Sequence, residues 1–458
     1  MKYQSTRGGV KGISFKDAVL MGLADDGGLL VPESIPDVSQ ELADWKALSY
    51  QELALKVLGK FIDDIPTDDL RCIINKSYAT FTDPLVTPLV PLGDDHVLEL
   101  FHGPTLAFKD IALQLLGNLF EYILEERGHS VNILGATSGD TGSAAIAGVR
   151  GKKNINIYIM FPEGRTSPLQ ELQMTSILDP NVHNIAIAGS FDDCQALMKR
   201  VFSDLPFKQQ YGLAAVNSVN WTRVLAQVVY YFSAWNQVGS PDHFDVCVPT
   251  GNFGNIFAGY IAQQMGLPIR RLILATNAND ILCRFFNSGR YERQEVHFTH
   301  SPAMDIQISS NFERYLFYKL NGSATQVKEF MASFSATGSA ELPDHEGIVD
   351  AAIVAGSASN EQTLATIRKV YETHGYLADP HTAVGLAVMQ TYADPQVPLV
   401  CLATAHPAKF EDSIHEALPA VTVSHPTLEA LRPLPTRKTL LAADEATIKG
   451  FITAGGQA

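Results

Sequence analysis

Lys109 is the residue in this sequence best suited to covalent chemistry. It lies in the segment His102-Gly-Pro-Thr-Leu-Ala-Phe-Lys109-Asp110, which opens a helix that the spacing predicts to run to about Arg127. One face of that helix carries Phe108, Ile111, Ala112, Leu115, Leu116, Leu119 and Ile123; the Lys109 face is apolar as well, through Ala112, Leu113, Leu116, Phe120 and Leu124. A helix apolar nearly all round is a buried one. A lysine at its start therefore either snorkels its ammonium to water or sits in a dry site. In a dry site the proton is held less tightly and the amine becomes a nucleophile, which is what Schiff-base chemistry needs.

Two turns suited to anions accompany it. Thr250-Gly251-Asn252-Phe253-Gly254-Asn255 lies between an apolar run and a helix, with glycines where a backbone must approach a ligand closely. Free N–H groups and the positive end of the helix dipole suit a phosphate there, although a purely structural turn has the same composition. Thr137-Ser138-Gly-Asp140-Thr141-Gly142 is a second cup, rich in hydroxyls. Asp140 argues against a dianion, but a single carboxylate can sit on Ser138, Thr141 and the helix amides. A buried lysine, a phosphate cup and a carboxylate cup together describe pyridoxal phosphate plus an amino acid.

The elements that must hold these residues alternate between strand and helix. Apolar runs at 131–134, 155–161, 245–248, 271–275 and 398–403 each lead into a polar or glycine-rich loop and then a helix. This rhythm predicts a buried parallel sheet flanked by helices, with ligands at the carboxyl ends of the strands. Residues 1–93 read as a separate, mainly helical unit: Ser49-Tyr-Gln-Glu52 is a capping box, Thr67 can cap a second helix through about Tyr78, and Pro84, Pro88 and Pro91 mark the exit. The body is expected over 94–415, with a smaller subdomain at roughly 136–215 and an irregular, polar insertion at roughly 285–345. Residues 416–458 form a C-terminal segment without a usable motif.

Composition bounds the function. The chain has 458 residues and a net charge of −15, with 46% hydrophobic and 18% charged residues. That is globular and argues against a nucleic-acid partner, whose binding rests on clustered Lys and Arg. Cys72, Cys194, Cys247, Cys283 and Cys401 are odd in number and far apart, which suits free thiols in the cytoplasm rather than disulfides or zinc. No apolar run reaches the length of a membrane span and no leader is evident. GxGxxG, GxxxxGK[ST] and HExxH are all absent; His415-Glu416 approaches the last, but Pro419 occupies the second histidine position, and no metal is expected.

With those residues in view, the chain resembles the threonine synthase family, in the fold type II group of pyridoxal-phosphate enzymes. The matching stretches are Tyr3-Gln-Ser-Thr-Arg-Gly8, His102–Asp110, Ala136–Gly142, Pro249–Asn255, Ser301-Pro-Ala-Met-Asp-Ile306, Asp379-Pro-His-Thr-Ala-Val-Gly385 and Thr404-Ala-His-Pro-Ala-Lys-Phe410, in the family's order. The resemblance implies two α/β open-sheet domains with the cofactor between them and a mainly helical N-terminal unit. It implies that Lys109 carries pyridoxal phosphate and then shuttles protons, and that Gly251, Asn252, Phe253, Gly254 and Asn255 cradle the cofactor phosphate. Thr404 would face the pyridine nitrogen, and Ser138, Asp140 and Thr141 the substrate carboxylate. The implied reaction converts O-phospho-L-homoserine and water to L-threonine and phosphate, the last step of threonine biosynthesis, in a monomer or small homo-oligomer. The rivals are a fold type II threonine or serine dehydratase, a catalytically idle homologue acting as a binding protein, and a phosphate-binding α/β protein without the cofactor. His102, His381 and His406 read as structural hydrogen-bonders beside Pro or Gly. Arg165 either binds a substrate phosphate or lies on an exposed loop.

Overall fold

In the computed structural model, which describes residues 1–137, 139–215, 218–343, 345 and 347–456, the strand-and-helix rhythm from residue 95 onward resolves into two separate sheets. Among the described residues the larger has six strands, ordered Ile353–Ser357, Ile269–Thr276, Phe244–Pro249, Leu399–Ala403, Asp95–Glu99 and Leu89–Leu92. All neighbours pair in parallel except the last two, which form an antiparallel hairpin at the edge. The smaller sheet, Thr439–Leu441, Val182–Ile187, Ile155–Pro162, Val131–Ala136 and Leu213–Ala214, is parallel throughout. Phe244–Pro249 and Leu399–Ala403 are buried at every position, which is why these strands read as continuous apolar runs without alternation.

The helix Lys109–Arg127 forms where expected and ends at Gly128, whose φ of 65° suits a residue without Cβ. It packs against the helix Asp140–Val149, and glycines sit where their backbones meet. The N-terminal helices Tyr50–Gly59 and Thr67–Tyr78 pack on the helices Trp221–Gln237 and Lys109–Arg127, so their apolar faces join the main core. The Ser49/Glu52 capping box is present in both directions. Thr67 differs from expectation: it is the first helical residue, and Pro66 precedes it without any side-chain cap. The φ of −54° at Pro66 and its extended ψ deliver the chain into the helix, so Thr67 has no cap to provide.

Three findings bear on the expected organisation. Position 93/94 falls inside the edge hairpin of the larger sheet. The stretch 285–345 is not simply irregular: it holds the helices Phe312–Lys319 and Ala324–Thr337 and a paired Arg290–Glu292 and Ser339–Glu341. Tyr291 stacks on Phe312 at 4.4 Å and packs on Phe334 at 4.6 Å, which closes a small aromatic core. Polar residues on the outer faces hid the apolar spacing of Val327, Phe330 and Phe334. Finally, the C-terminal segment is integral to the smaller lobe, adding the edge strand Thr439–Leu441 and a helix whose Ile448, Phe451 and Ile452 are buried beside Tyr158 and Leu197.

Candidate active site

Three neighbouring parallel strands deliver the chemistry. Phe244–Pro249 runs into the Thr250–Asn255 turn, Leu399–Ala403 into Thr404, and Asp95–Glu99 into the loop that ends at Lys109. Because the strands are in register, with Cys401 opposite Cys247 and Ala403 opposite Glu99, all three loops emerge at one carboxyl-terminal edge. Lys109 and Thr404 are held together by backbone: Phe108 N donates to Thr404 O at 2.8 Å, Ala107 and Ala405 form an isolated bridge, and His406 N donates to Leu106 O at 3.1 Å. Thr404 N donates in turn to Thr382 Oγ1, and Asp379 caps the helix that carries Thr382. The Thr404 Oγ1 makes no hydrogen bond with the described residues and is available to a ligand.

Lys109 is the first residue of its helix. Burial pushes its ammonium down to about 8; Asp140 pulls the value back up, and Arg223 and Lys409 push it down again. Asp140 lies at the start of the helix Asp140–Val149, across from Lys109. Burial alone would raise its carboxyl, but Lys409, Lys109 and His381 outweigh burial and hold it well below the usual carboxylate range. The direct partners of Asp140 Oδ1 are Lys409 Nζ at 2.8 Å and Gln170 Nε2 at 3.2 Å. Thr141 follows on the same first turn, and Ser138 lies outside the described residues.

The Thr250–Asn255 turn has the features of a phosphate cradle. A Cβ on Gly251 would lie 2.9 Å from Ala303 O and 3.2 Å from Met304 Cα, so no side chain fits there. Phe253 adopts a φ of 63° immediately before the helix Gly254–Gln264. This left-handed geometry costs about 1–2 kcal/mol for a residue with Cβ. Full burial of a phenyl ring, worth roughly 1.5–3 kcal/mol, offsets it: the Phe253 ring stacks on Phe286 at 5.8 Å and packs on Tyr315 at 5.7 Å. The Asn252 carbonyl accepts from Asn311 N at 3.1 Å and Asn311 Nδ2 at 3.0 Å. Asn255 Oδ1 accepts from Tyr230 Oη at 2.5 Å and Tyr231 Oη at 3.0 Å. Its Nδ2 is left as a buried donor without a partner among the described residues. An orphaned amide donor, a glycine with no room for Cβ and a helix N-terminus at one strand end fit a cofactor phosphate.

Tyr230, Tyr231, Asn311 and Lys409 were not singled out from the sequence. The tyrosines lie inside an apolar helix and read as core; only the contact with Asn255 reveals their hydroxyls as orienting groups. The histidines behave as hydrogen-bonders. His381 Nδ1 pairs with Asp379 Oδ1 at 2.8 Å while its Nε2 accepts from Ala303 N at 3.2 Å, and His406 Nδ1 accepts from Ala408 N at 3.1 Å. His102 Nε2 meets Glu99 Oε2 at 2.8 Å. Arg165 is exposed and forms no ion pair with the described residues. No group of three or more His, Cys, Asp or Glu among the described residues is placed to hold a metal, and no helix there is long and apolar enough to cross a membrane.

A lysine, a hydroxyl and a phosphate cradle at one strand edge, with a second cup facing them from another parallel sheet, define a pyridoxal-phosphate enzyme. Comparison with known proteins agrees: residues 86–402 match the family model for pyridoxal-phosphate dependent enzymes, residues 2–78 that for the threonine synthase N terminus, and residues 382–452 that for its C-terminal part. A threonine synthase of Pseudomonas aeruginosa is 47% identical, over 100% of this chain and 99% of its own. A crystal structure of pyridoxal-phosphate-bound threonine synthase from Brucella melitensis superposes with a TM-score of 0.96 at 45% identity, covering 100% of both chains. The yeast enzyme gives 0.94 at 42%, covering 99% of this chain and 98% of that one. The chain belongs to the threonine synthase family.

Proposed function

We infer that the protein is a threonine synthase that converts O-phospho-L-homoserine and water to L-threonine and phosphate. The observation that carries this reading is Lys109, a lysine of lowered proton affinity tied by backbone to Thr404 beside the Thr250–Asn255 cradle. Bound there, pyridoxal phosphate supplies an electron sink that stabilises negative charge at the substrate α-carbon and beyond.

The chain's own residues do the rest. Gly251, Asn252, Phe253, Gly254 and Asn255 hold the phosphate through backbone N–H groups and Asn255 Nδ2. Thr404 offers the ring nitrogen a hydroxyl rather than a carboxylate, which does not enforce protonation of the ring. Ser138, Thr141 and the first amides of the helix Asp140–Val149 receive the substrate carboxylate, with Asp140 at the same turn. Lys109 Nζ, as a free amine, takes the α-proton, and as an ammonium it returns protons when the γ-phosphate has left and water has added to the β-carbon. We place the protein in the cytoplasm, as a monomer or small homo-oligomer with no nucleic-acid partner, which the net charge of −15 supports. In outline, residues 1–93 supply the mainly helical N-terminal unit and an edge strand of the larger sheet, 94–415 the catalytic body, and 416–458 a C-terminal segment that completes the smaller lobe.

The test is a single-tube assay of the cofactor-loaded protein with O-phospho-L-homoserine, quantifying phosphate and threonine together. Equal yields are expected, and Lys109→Ala should abolish both. Phosphate with 2-oxobutyrate would instead mean elimination without hydration, a dehydratase outcome. No product from a cofactor-loaded sample would overturn the substrate assignment.

A further inference from the structure

Lys409 is a buried cation that the reaction outlined above does not use. It sits in the short turn Pro407–Lys409 that follows the strand leading to Thr404, and its side chain has no exposure to solvent. Its Nζ donates to Asp140 Oδ1 at 2.8 Å and to Thr105 O at 2.7 Å. Thr105 lies in the loop before Lys109, where Leu106 holds a φ of 60°, and the same carbonyl accepts from Gln173 Nε2 at 3.1 Å. Thr105 also donates through N and Oγ1 to the buried Asp110 carboxylate. One ammonium thus joins the Lys109 loop of the larger sheet to the helix start of the smaller one.

The contrast with Lys109 is informative. Asp140 has two lysines near it, yet only Lys409 is within ion-pair distance; Lys109 Nζ makes no ion pair or hydrogen bond with the described residues. A buried carboxylate must be paired, and Lys409 is better anchored for the task because Thr105 O holds it as well. We propose that Lys409 is a positioning residue that sequesters Asp140, so that the Lys109 amine is not captured in an ion pair and stays free for cofactor and for proton transfer. This rests on the reading of Lys109 as the cofactor-bearing lysine. The charged groups facing Lys109 are Asp140, Arg223 and Lys409, and those facing Asp140 are Lys409, Lys109 and His381. With Lys409 neutralised, Lys109 is the lysine whose charge still acts on Asp140, and it then holds its proton more tightly.

The experiment uses the full chain, stripped of cofactor, and follows the visible absorbance gained on adding pyridoxal phosphate as a function of pH. Lys409→Gln keeps a donor but loses the charge. It should slow capture at neutral pH by about three- to tenfold and move the midpoint of the pH profile upward. Lys409→Arg should keep the wild-type midpoint. Adding Asp140→Asn to Lys409→Gln should restore rapid capture, because no carboxylate remains to compete for Lys109. Circular dichroism and thermal unfolding establish that each variant is folded. An unshifted midpoint in folded Lys409→Gln would overturn the proposal. So would a double variant as slow as the single one, which would mean that Lys409 does not act through Asp140. Should Lys409→Gln alone fail to fold, the double variant is compared with the wild type: because Asp140 raises the Lys109 value more than Lys409 lowers it, a midpoint at or below the wild-type one supports the proposal, and a midpoint above it overturns it. Wild-type protein that captures no cofactor, or captures it equally after Lys109→Ala, would overturn the reading of Lys109 itself and this proposal with it.

Discussion

Gly117 and Gly148 meet backbone to backbone where the helices Lys109–Arg127 and Asp140–Val149 cross. A Cβ on Gly117 would fall on the carbonyl oxygen of Gly148, and one on Gly148 would fall on the carbonyl oxygen of Leu113. Each glycine lies eight residues after the residue that opens its helix, Lys109 or Asp140. The crossing therefore sets how near these two residues approach.

Alanine at either glycine must push the helices apart. Gly117→Ala and Gly148→Ala should each cost about 1–3 kcal/mol of stability, measured by urea unfolding, and should lower turnover beyond what the unfolded fraction explains. Gly59 is the control. Its Cβ direction is open, so Gly59→Ala should be neutral or stabilising, by up to about 1 kcal/mol.

Lys109 should capture pyridoxal phosphate with a rate that rises through about pH 8 and levels off above it, as burial lowers its proton affinity. An ordinary lysine holds roughly one free amine in 2,500 at pH 7, against about one in ten for a group titrating near 8. Because the folded value lies below the 10.5 of an ordinary lysine, keeping the proton costs stability below about 8, and the cost fades as pH rises toward 10.5. Stopped-flow absorbance against pH is the check, and a midpoint near 10 would mean a solvated lysine.

Asn255→Ala should weaken retention of pyridoxal phosphate by about ten- to a hundredfold, the loss expected for a hydrogen bond to a charged group. Tyr231→Phe should weaken it less, since Tyr230 still orients Asn255 Oδ1. Equilibrium dialysis reads both, and unchanged affinity in Asn255→Ala would remove the Thr250–Asn255 turn from the cofactor site.

His406 links acid stability to a turn cap. Burial first, then His425 and His102, push its imidazole down to about 4, below its ordinary value of 6.5. The unfolded chain binds the extra proton across that window, so the contribution of His406 is full above about 6.5 and is lost as pH falls toward 4. Asp110 works in the opposite sense, since burial raises its carboxyl to about 6 and protonation below that relieves the folded state. Asparagine can still cap the Pro407–Lys409 turn, so His406→Asn should show a smaller drop in Tm between neutral and acid pH than the parent protein.

The features legible in the chain are local ones. The apolar strand runs, the helix opened by Lys109, the Ser49/Glu52 cap and the glycine turn at Thr250–Asn255 are legible because periodicity and turn chemistry act over a few residues. The motifs from Tyr3 to Phe410 carried the family in the same way. Partnership was not legible. Nothing near Lys409 in the chain says that it pairs with Asp140, and nothing in the helix Trp221–Gln237 says that two of its tyrosines aim Asn255. The stretch 285–345 hid its helices behind polar outer faces, and the last segment gave no sign that Thr439–Leu441 completes the edge of the smaller sheet. These features depend on which elements pack against which. Packing joins residues hundreds of positions apart, as Lys409 and Thr105 are joined across 304. Composition and spacing supplied the groups, and only the closeness of the two sheets decided which cation neutralises Asp140 and which amine stays free.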